Sequence, residues 1–431
     1  MKEYKSILSN GKLRASWGLT GNNRVGEYEA YALLKMAKAA SNNLPSGVYP
    51  FENNQNSIGM VPISLANKDL KWETTEQWNV GLDLGFFDER IGINVDWYMK
   101  TTRDLLLDAS LPYSTGYYSA MKNVGKVRNS GLEFTLNTIN INRNGFRWST
   151  NFNIAFNKNK VLELAENQTS LLTSAYFDQT YNSQPTYIAK KGYSMGMMYG
   201  YMYEGTYKYE DFYKSGDTYV LRPGVPYFSS ENNTQPGMPK YKDLNGDGII
   251  DTNDRTMIGR GLPIHTGGFT NDFEYKGFDL TIFFQGAAGH DIFVSGDILD
   301  PFIQQGLGNG LAIMTDRWHR EDPTDPYSKW VPGYMPAPRV AGVANNRSSN
   351  SWSLHDASYL RLKTLEVGYT LPKSLTRKAS IERVRFYVNC NNLLTFTNRE
   401  GLMKNIDPEN NSSYMRYYPP VSYTHLTLPT I

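Results

Sequence analysis

The stretch Trp78-Asn-Val80-Gly-Leu82-Asp-Leu84-Gly-Phe86 carries an apolar side chain at every second position, with Asn, Gly or Asp between. The chain turns through Asp88-Glu89-Arg90 and repeats the pattern in Ile91-Gly-Ile93-Asn-Val95-Asp-Trp97-Tyr-Met99. Successive side chains of a strand point to opposite faces, so a period of two predicts a hairpin with one apolar and one polar face. In a soluble sandwich the polar face looks outward to water. In an outer-membrane barrel the apolar face meets lipid, and the Gly/Asn/Asp face lines a polar lumen. Which of the two applies decides what the protein does.

Working outward, the same alternation recurs. Leu132, Phe134, Leu136 and Thr138 lead to the turn Asn142-Arg-Asn144-Gly145, and Phe146, Trp148, Thr150, Phe152, Ile154 and Phe156 follow it. An Asn-Gly pair between alternating strands is a strong hairpin signal. Phe269 to Tyr275 and Phe278 to Phe284 flank Lys276-Gly277, and Tyr359 to Tyr369 and Arg383 to Asn391 pair across Leu371-Pro372-Lys373. These signals predict roughly ten to twelve strands. Long polar segments separate them, around Asn167–Ser183, Lys208–Asp247 and Leu307–Asn350. Short turns at one end and long loops at the other is the asymmetry of outer-membrane barrels. Tyr31–Ala40 is the one stretch with helical periodicity.

Composition agrees. A chain of 431 residues accommodates two or three ordinary domains or one large barrel. Its net charge of +2, dispersed along the sequence, gives no reason to expect a nucleic-acid partner. Mean hydropathy is -0.51, and no apolar run long enough for a helical span occurs. Barrel strands hide their hydrophobicity by alternating, so this leaves the barrel open. The 31 Tyr and 8 Trp are what two interfacial girdles would need. The single cysteine, Cys390, excludes an internal disulfide and any multi-cysteine metal site; its strand alternation predicts a small, outward-facing apolar residue. Met1-Lys-Glu-Tyr-Lys-Ser leads into no apolar signal segment, so a barrel reading expects a piece of a longer protein.

Several ordered motifs resemble the SusC/RagA-type TonB-linked outer-membrane proteins. They are Asp69-Leu-Lys-Trp72-Glu73-Thr-Thr75-Glu-Gln77-Trp-Asn79-Val-Gly81-Leu-Asp83 and Asn123-Val-Gly125-Lys-Val-Arg-Asn129-Ser-Gly131-Leu-Glu133. Pro236-Gly237 leads to a third, Tyr241-Lys-Asp243-Leu-Asn245-Gly-Asp247-Gly-Ile-Ile-Asp251, followed by Tyr275-Lys-Gly277-Phe278-Asp279 and Phe283-Phe-Gln285-Gly286. The last run through Leu360-Arg-Leu-Lys, Gly368-Tyr-Thr-Leu-Pro372 and Asn389-Cys-Asn391-Asn392. The resemblance implies an all-β fold: the antiparallel wall of a transmembrane β-barrel, incomplete, being the C-terminal part of a 22-stranded barrel without its plug. It implies import of glycans or peptides across the outer membrane, driven by the TonB complex under a SusD-like lipoprotein. It implies no enzyme and no required cofactor. Residues 1–420 are expected to be barrel and loops. From Val421 the string Val421-Ser-Tyr-Thr-His-Leu-Thr-Leu-Pro-Thr430 matches the translation of a transposase-type sequencing adaptor, so residues 421–431 are expected to be a non-native tail.

Three constellations bear on chemistry. Asp243, Asn245, Asp247, the carbonyl of Ile249, Asp251 and Asp254 have calcium-loop spacing, with Gly248 at the sharp turn, and are candidate ligands for a structural Ca²⁺. Asp254 stands where an EF-hand has Glu, and the competing reading is an Asx-rich turn that caps itself. Gly192-Tyr-Ser194-Met-Gly196 matches a nucleophile elbow, but an aromatic stretch follows where the elbow needs a helix. The loop aromatics Trp318, Trp330, Tyr334 and Trp352 are the candidates for contact with substrate or lid, because sugar rings pack on aromatic faces. Two other functions stay open at this point: a soluble all-β glycan-binding or adhesin protein, and a secreted all-β hydrolase using Ser194.

Overall fold

The computed structural model describes residues 7–23, 30–36, 48–51, 55–58, 60–62, 65–110, 113–115, 119–165, 168–176, 183–216, 218–228, 230–294, 315–325, 327–337, 349–398, 406–409 and 423–427. Ten strands form one sheet: β1 (Leu8–Asn22), β2 (Glu73–Phe86), β3 (Ile91–Arg103), β4 (Lys126–Arg143), β5 (Phe146–Glu163), β6 (His265–Tyr275), β7 (Phe278–Ala288), β8 (Tyr359–Thr370), β9 (Arg385–Thr397) and β10 (Tyr423–Thr427). Each pairs antiparallel with the next in chain order, an up-and-down wall with β1 and β10 at its edges. No helix among the described residues is long and apolar enough to cross a membrane.

Register keeps the two faces apart. Trp17 lies opposite Trp78, Val80 opposite Trp97, Trp97 opposite Leu132 and Leu132 opposite Phe156, so one face is apolar from strand to strand. The other face carries Arg14, Asp83, Asn94 and Asp96, then Asn137, Asn151 and Asn159. Apolar side chains on the first face remain well exposed, Trp17 at 57% and Val367 at 48%. A soluble protein would not present such an apolar ribbon to water, whereas a lipid-facing wall must. Cys390 lies opposite Leu365 on this outward face, as its alternation predicts.

Tight turns gather at one end of the wall. Asn144 and Gly145 both have positive φ, as a two-residue hairpin turn requires, and so do Lys276 and Gly277. Beside these turns the outward face is aromatic: Phe146 packs edge-on against Tyr275, Trp148 stacks on Phe273, and Phe278 lies against Tyr369. On β5 the apolar positions run from Phe146 to Phe156. Ten residues at about 3.3 Å of rise each, tilted about 40°, make a band about 25 Å tall, the height of an outer-membrane barrel's apolar belt.

Three expectations change. Leu34–Met36, within the stretch expected to be helical, is a strand paired with Met60–Pro62; residues 37–40 lie outside the described residues. A short helix gains little on its own, and the partner strand satisfies the backbone instead. The connection from β8 to β9 is longer than a hairpin turn and holds a short helix, Lys373–Thr376, and a helical turn, Arg377–Ala379. The segment between β5 and β6 is not plain loop. It folds into a four-stranded sheet of Ser170–Tyr176, Ser183–Lys190, Met197–Tyr201 and Arg255–Arg260, with smaller hairpins around it. This loop layer has cores of its own: Tyr207, Phe212, Leu221 and Met238 in one, Tyr201, Tyr241 and Ile250 in another.

Candidate functional site

The polar face of the wall is a hydrogen-bonded surface. Arg14 of β1 grips Asp83 of β2 with two bonds of 2.7 Å and reaches Asp96 of β3 at 3.0 Å. Asn94 donates to the same Asp83 carboxylate at 2.6 Å. One guanidinium thereby ties three strands, and a bidentate fork of this kind holds geometry as well as charge. Arg385 of β9 does the same for Asp279 of β7 and Glu366 of β8. Toward the long-loop end Arg361, buried on β8, binds Asp407 and Glu409 and pins residues 406–409 against the wall.

Three of the four loop aromatics meet tyrosines of the loop layer, in two clusters. Tyr203 packs on Trp352 with ring centroids 5.7 Å apart. Tyr334 is 67% exposed. Tyr209 packs on Trp318 at 5.9 Å and donates its hydroxyl proton to the Trp330 carbonyl. Arg320 lies over the Trp330 ring, 4.4 Å from its centroid. Trp318 is only 4% exposed, so it is a packing residue with no face to offer a ligand. Trp352 and Tyr334 keep accessible surface; Trp330 is half-buried under its arginine. Burial pushes the phenols of Tyr203 and Tyr209 up to about 12. Tyr203 and Tyr209 were not singled out from the sequence, although Tyr199, Tyr201, Tyr203, Tyr207 and Tyr209 alternate there at period two.

The Asp243 loop is held by its own side chains. Asp243 accepts from the Gly246 and Gly248 amides at 2.6 and 2.8 Å, Asn245 from Asp247, and Asp247 from Ile249. The Gly248 amide in particular holds the Asp243 carboxyl below the usual carboxylate range. Asp251 accepts from Asn253, while the buried Asp254 takes the Leu244 and Asp251 amides. Among the described residues no three carboxylate, imidazole or thiolate groups converge to hold a metal. Ser194 is buried and bonds the Met195 carbonyl at 3.1 Å and Asn159 at 3.4 Å. The motif turns the chain from strand Ser183–Lys190 into strand Met197–Tyr201, where a nucleophile elbow leads into a helix, and among the described residues no imidazole partners the Ser194 hydroxyl.

An alternating wall with an outward apolar band, a polar inner face and a folded layer over its long-loop end defines a section of outer-membrane β-barrel. The family model "TonB dependent receptor-like, beta-barrel" matches residues 4–247. TonB-dependent receptor P3 of Formosa agariphila is 36% identical over 408 residues, and TonB-dependent receptor SusC of Bacteroides thetaiotaomicron is 26% identical over 408. Each alignment covers 94% of this chain and 36% of the relative, so the chain spans about a third of their length. A structure of the RagAB peptide importer in its closed-closed state superposes with a TM-score of 0.69 at 25% identity, over 97% of this chain and 40% of that one. The chain belongs to the TonB-dependent receptor-like β-barrel family. It is an outer-membrane wall and not an enzyme, and its relatives Formosa and Bacteroides fit a Bacteroidetes-type source.

Proposed function

We propose that this chain supplies wall and loops to a SusC-like importer of glycans or peptides, working with a SusD-like lipoprotein and powered through TonB contacts made elsewhere in the protein. The observation that carries the reading is the pairing of a lipid-ready wall with a structured aromatic loop layer. A wall with only a structural task needs no folded layer on its loops, and such loops are where binding concentrates. Tyr334 and Trp352 are the contact residues of this proposal. Their faces suit the C–H faces of sugars as well as peptide side chains.

The test is uptake. In cells carrying the full-length receptor, Tyr334→Ala with Trp352→Ala is expected to lower the rate of substrate uptake roughly thirtyfold at limiting substrate, the scale of losing one binding hot spot. Unchanged uptake, with the receptor at normal level in the outer membrane, would remove these residues from the site. Normal growth of a receptor deletion on every glycan and peptide source would remove the import reading itself.

A further inference from the structure

The outward face of β4 and β5 changes character abruptly toward the long loops. Leu132 and Phe156 lie opposite one another at the upper edge of the apolar band. Two residues further the pair is Ser130 and Lys158, and two further again Arg128 and Lys160. The period of two keeps all of these on the lipid-facing side, while Asn129 and Asn159 between them hydrogen-bond on the inner face. Arg103 and Lys126 continue the row, each with an acid beside it, Glu76 at 3.9 Å and Glu163 at 3.8 Å. Arg128 reaches Thr101 through its Nε at 3.2 Å, and Lys158 and Lys160 are exposed. Among the described residues no carboxylate lies within ion-pair distance of Arg128, Lys158 or Lys160.

An apolar groove of about 240 Å³ opens beside this shelf, on the same face. Ile154, Phe269, Phe284 and Leu360 flank it, and Gly267 and Gly286, paired across β6 and β7, form its floor. A Cβ at Gly267 would stand 2.6 Å from the Asn153 carbonyl oxygen, and one at Gly286 2.9 Å from that of Tyr359. The neighbouring backbone is too close for any side chain, so the floor stays bare. Phe156, packed edge-on against His265 with centroids 5.0 Å apart, joins the shelf to the groove.

We propose that this shelf and groove bind one phosphorylated, acylated lipid of the outer leaflet, its phosphate on Arg128, Lys158 and Lys160 and an acyl chain in the groove. The long loops mark the extracellular side, so the cations stand at the height of outer-leaflet headgroups. Phosphate is the anion that clustered Arg and Lys recognise best at a membrane surface. The groove is continuous with the lipid-contact face of the wall, and in that setting a recess not filled by protein is filled by an acyl chain.

The test uses the full-length receptor purified from outer membranes in mild detergent, with retained phosphorylated lipid measured by mass spectrometry. Arg128→Gln, Lys158→Gln and Lys160→Gln combined are expected to cut retention at least tenfold, with heat-modifiable gel mobility unchanged. Lys276→Gln, at the opposite rim, is expected to retain the wild-type amount. Ala288→Phe, which narrows the groove and leaves the shelf intact, is expected to reduce retention severalfold. Excess inorganic phosphate is expected not to displace the lipid. For variants with unchanged gel mobility, equal retention by wild type and triple variant, equal loss in Lys276→Gln, or displacement by free phosphate overturns the proposal. A receptor dimer that Ala288→Phe dissociates would also overturn it, by giving the groove to a second copy.

Discussion

The wall and the loop layer solve the same problem in opposite ways. On the wall, apolar side chains such as Trp17, Val80 and Leu132 stay exposed along one face, and stability comes from the backbone ladder and from lipid. In the loop layer Tyr207, Tyr241 and Met238 are sealed inside small cores, and Tyr241 is 1% exposed. A wall strand is repetitive because lipid asks only for an apolar side chain at every second place. A loop core needs particular shapes, since close packing penalises each misfit. The wall thus tolerates any substitution that keeps the residue type, the loop core only those that also keep the volume.

The largest effect should follow from breaking a loop core. Tyr241→Ala removes a fully buried ring that packs on Tyr201, Tyr203 and Phe228, and is expected to cost about 3–5 kcal/mol. The loss should stay local. Limited proteolysis of the receptor in detergent would show new cuts in the loop layer while the wall keeps its heat-modifiable mobility; collapse of both together would show that the regions are one cooperative unit.

On the wall the matching test is charge and not volume. Phe134 lies mid-band on β4, opposite Ile154. Phe134→Arg is expected to cost about 2–4 kcal/mol as the cation enters the bilayer midplane. Thr135→Arg, one residue along on the inner face, should cost little, and urea titration of folding into liposomes separates the two. Similar losses from both would mean that the faces are misassigned. A smaller effect is expected inside the lumen. Arg385→Met leaves Asp279 and Glu366 without their shared cation and should cost about 1 kcal/mol, because the group is partly solvated.

The wall was legible because its rule is local. The alternation from Trp78 to Met99 fixes strand, turn and facing at once, and the observed register places Gly81, Asp83, Asn94 and Asp96 on the polar face as read. Asn144-Gly145 marked its turn for the same reason. The loop layer was far less legible, since its contacts join distant segments: Tyr203 meets Trp352, and Tyr209 meets Trp318. Nothing in the neighbourhood of Trp318 announces burial, and a tryptophan in a polar segment reads as exposed until its partner is known. The pairing of Tyr423–Thr427 with β9 is legible in another sense. An open sheet edge accepts any strand-forming segment, so this pairing carries no information on where residues 421–431 come from. Resequencing the locus does, and the expected read leaves this frame at Val421.

Titration offers a subtler separation of the two regions. Burial raises the Tyr203 and Tyr209 phenols to about 12, above the value of about 10 that the unfolded chain would show. A raised folded-state value means that the folded form holds its proton longer. The resulting stability is complete below pH 10 and is lost as pH rises from about 10 to about 12. The loop layer should therefore open in that window while the wall persists, followed by tyrosinate absorbance against amide exchange. Simultaneous loss of wall and layer at lower pH would break the distinction.

The smallest expected effect concerns the Asp243 loop. Its side chains already satisfy the backbone amides of Gly246, Gly248, Asp247, Ile249 and Asn253, and both oxygens of Asp254 are occupied. Calcium would have to draw the buried Asp254 off the Leu244 and Asp251 amides, giving up two hydrogen bonds worth about 1 kcal/mol each. The depressed Asp243 carboxyl contributes stability above the ordinary carboxylate range and loses it as pH falls through its folded-state value. Acid should thus loosen this loop, and Asp243→Ala should remove that acid sensitivity. Millimolar Ca²⁺ is expected to leave calorimetric and melting signals unchanged. A calcium-dependent rise in loop stability that Asp254→Ala abolishes would instead establish the ion as a structural ligand, and would make the loop layer depend on something that the wall does without.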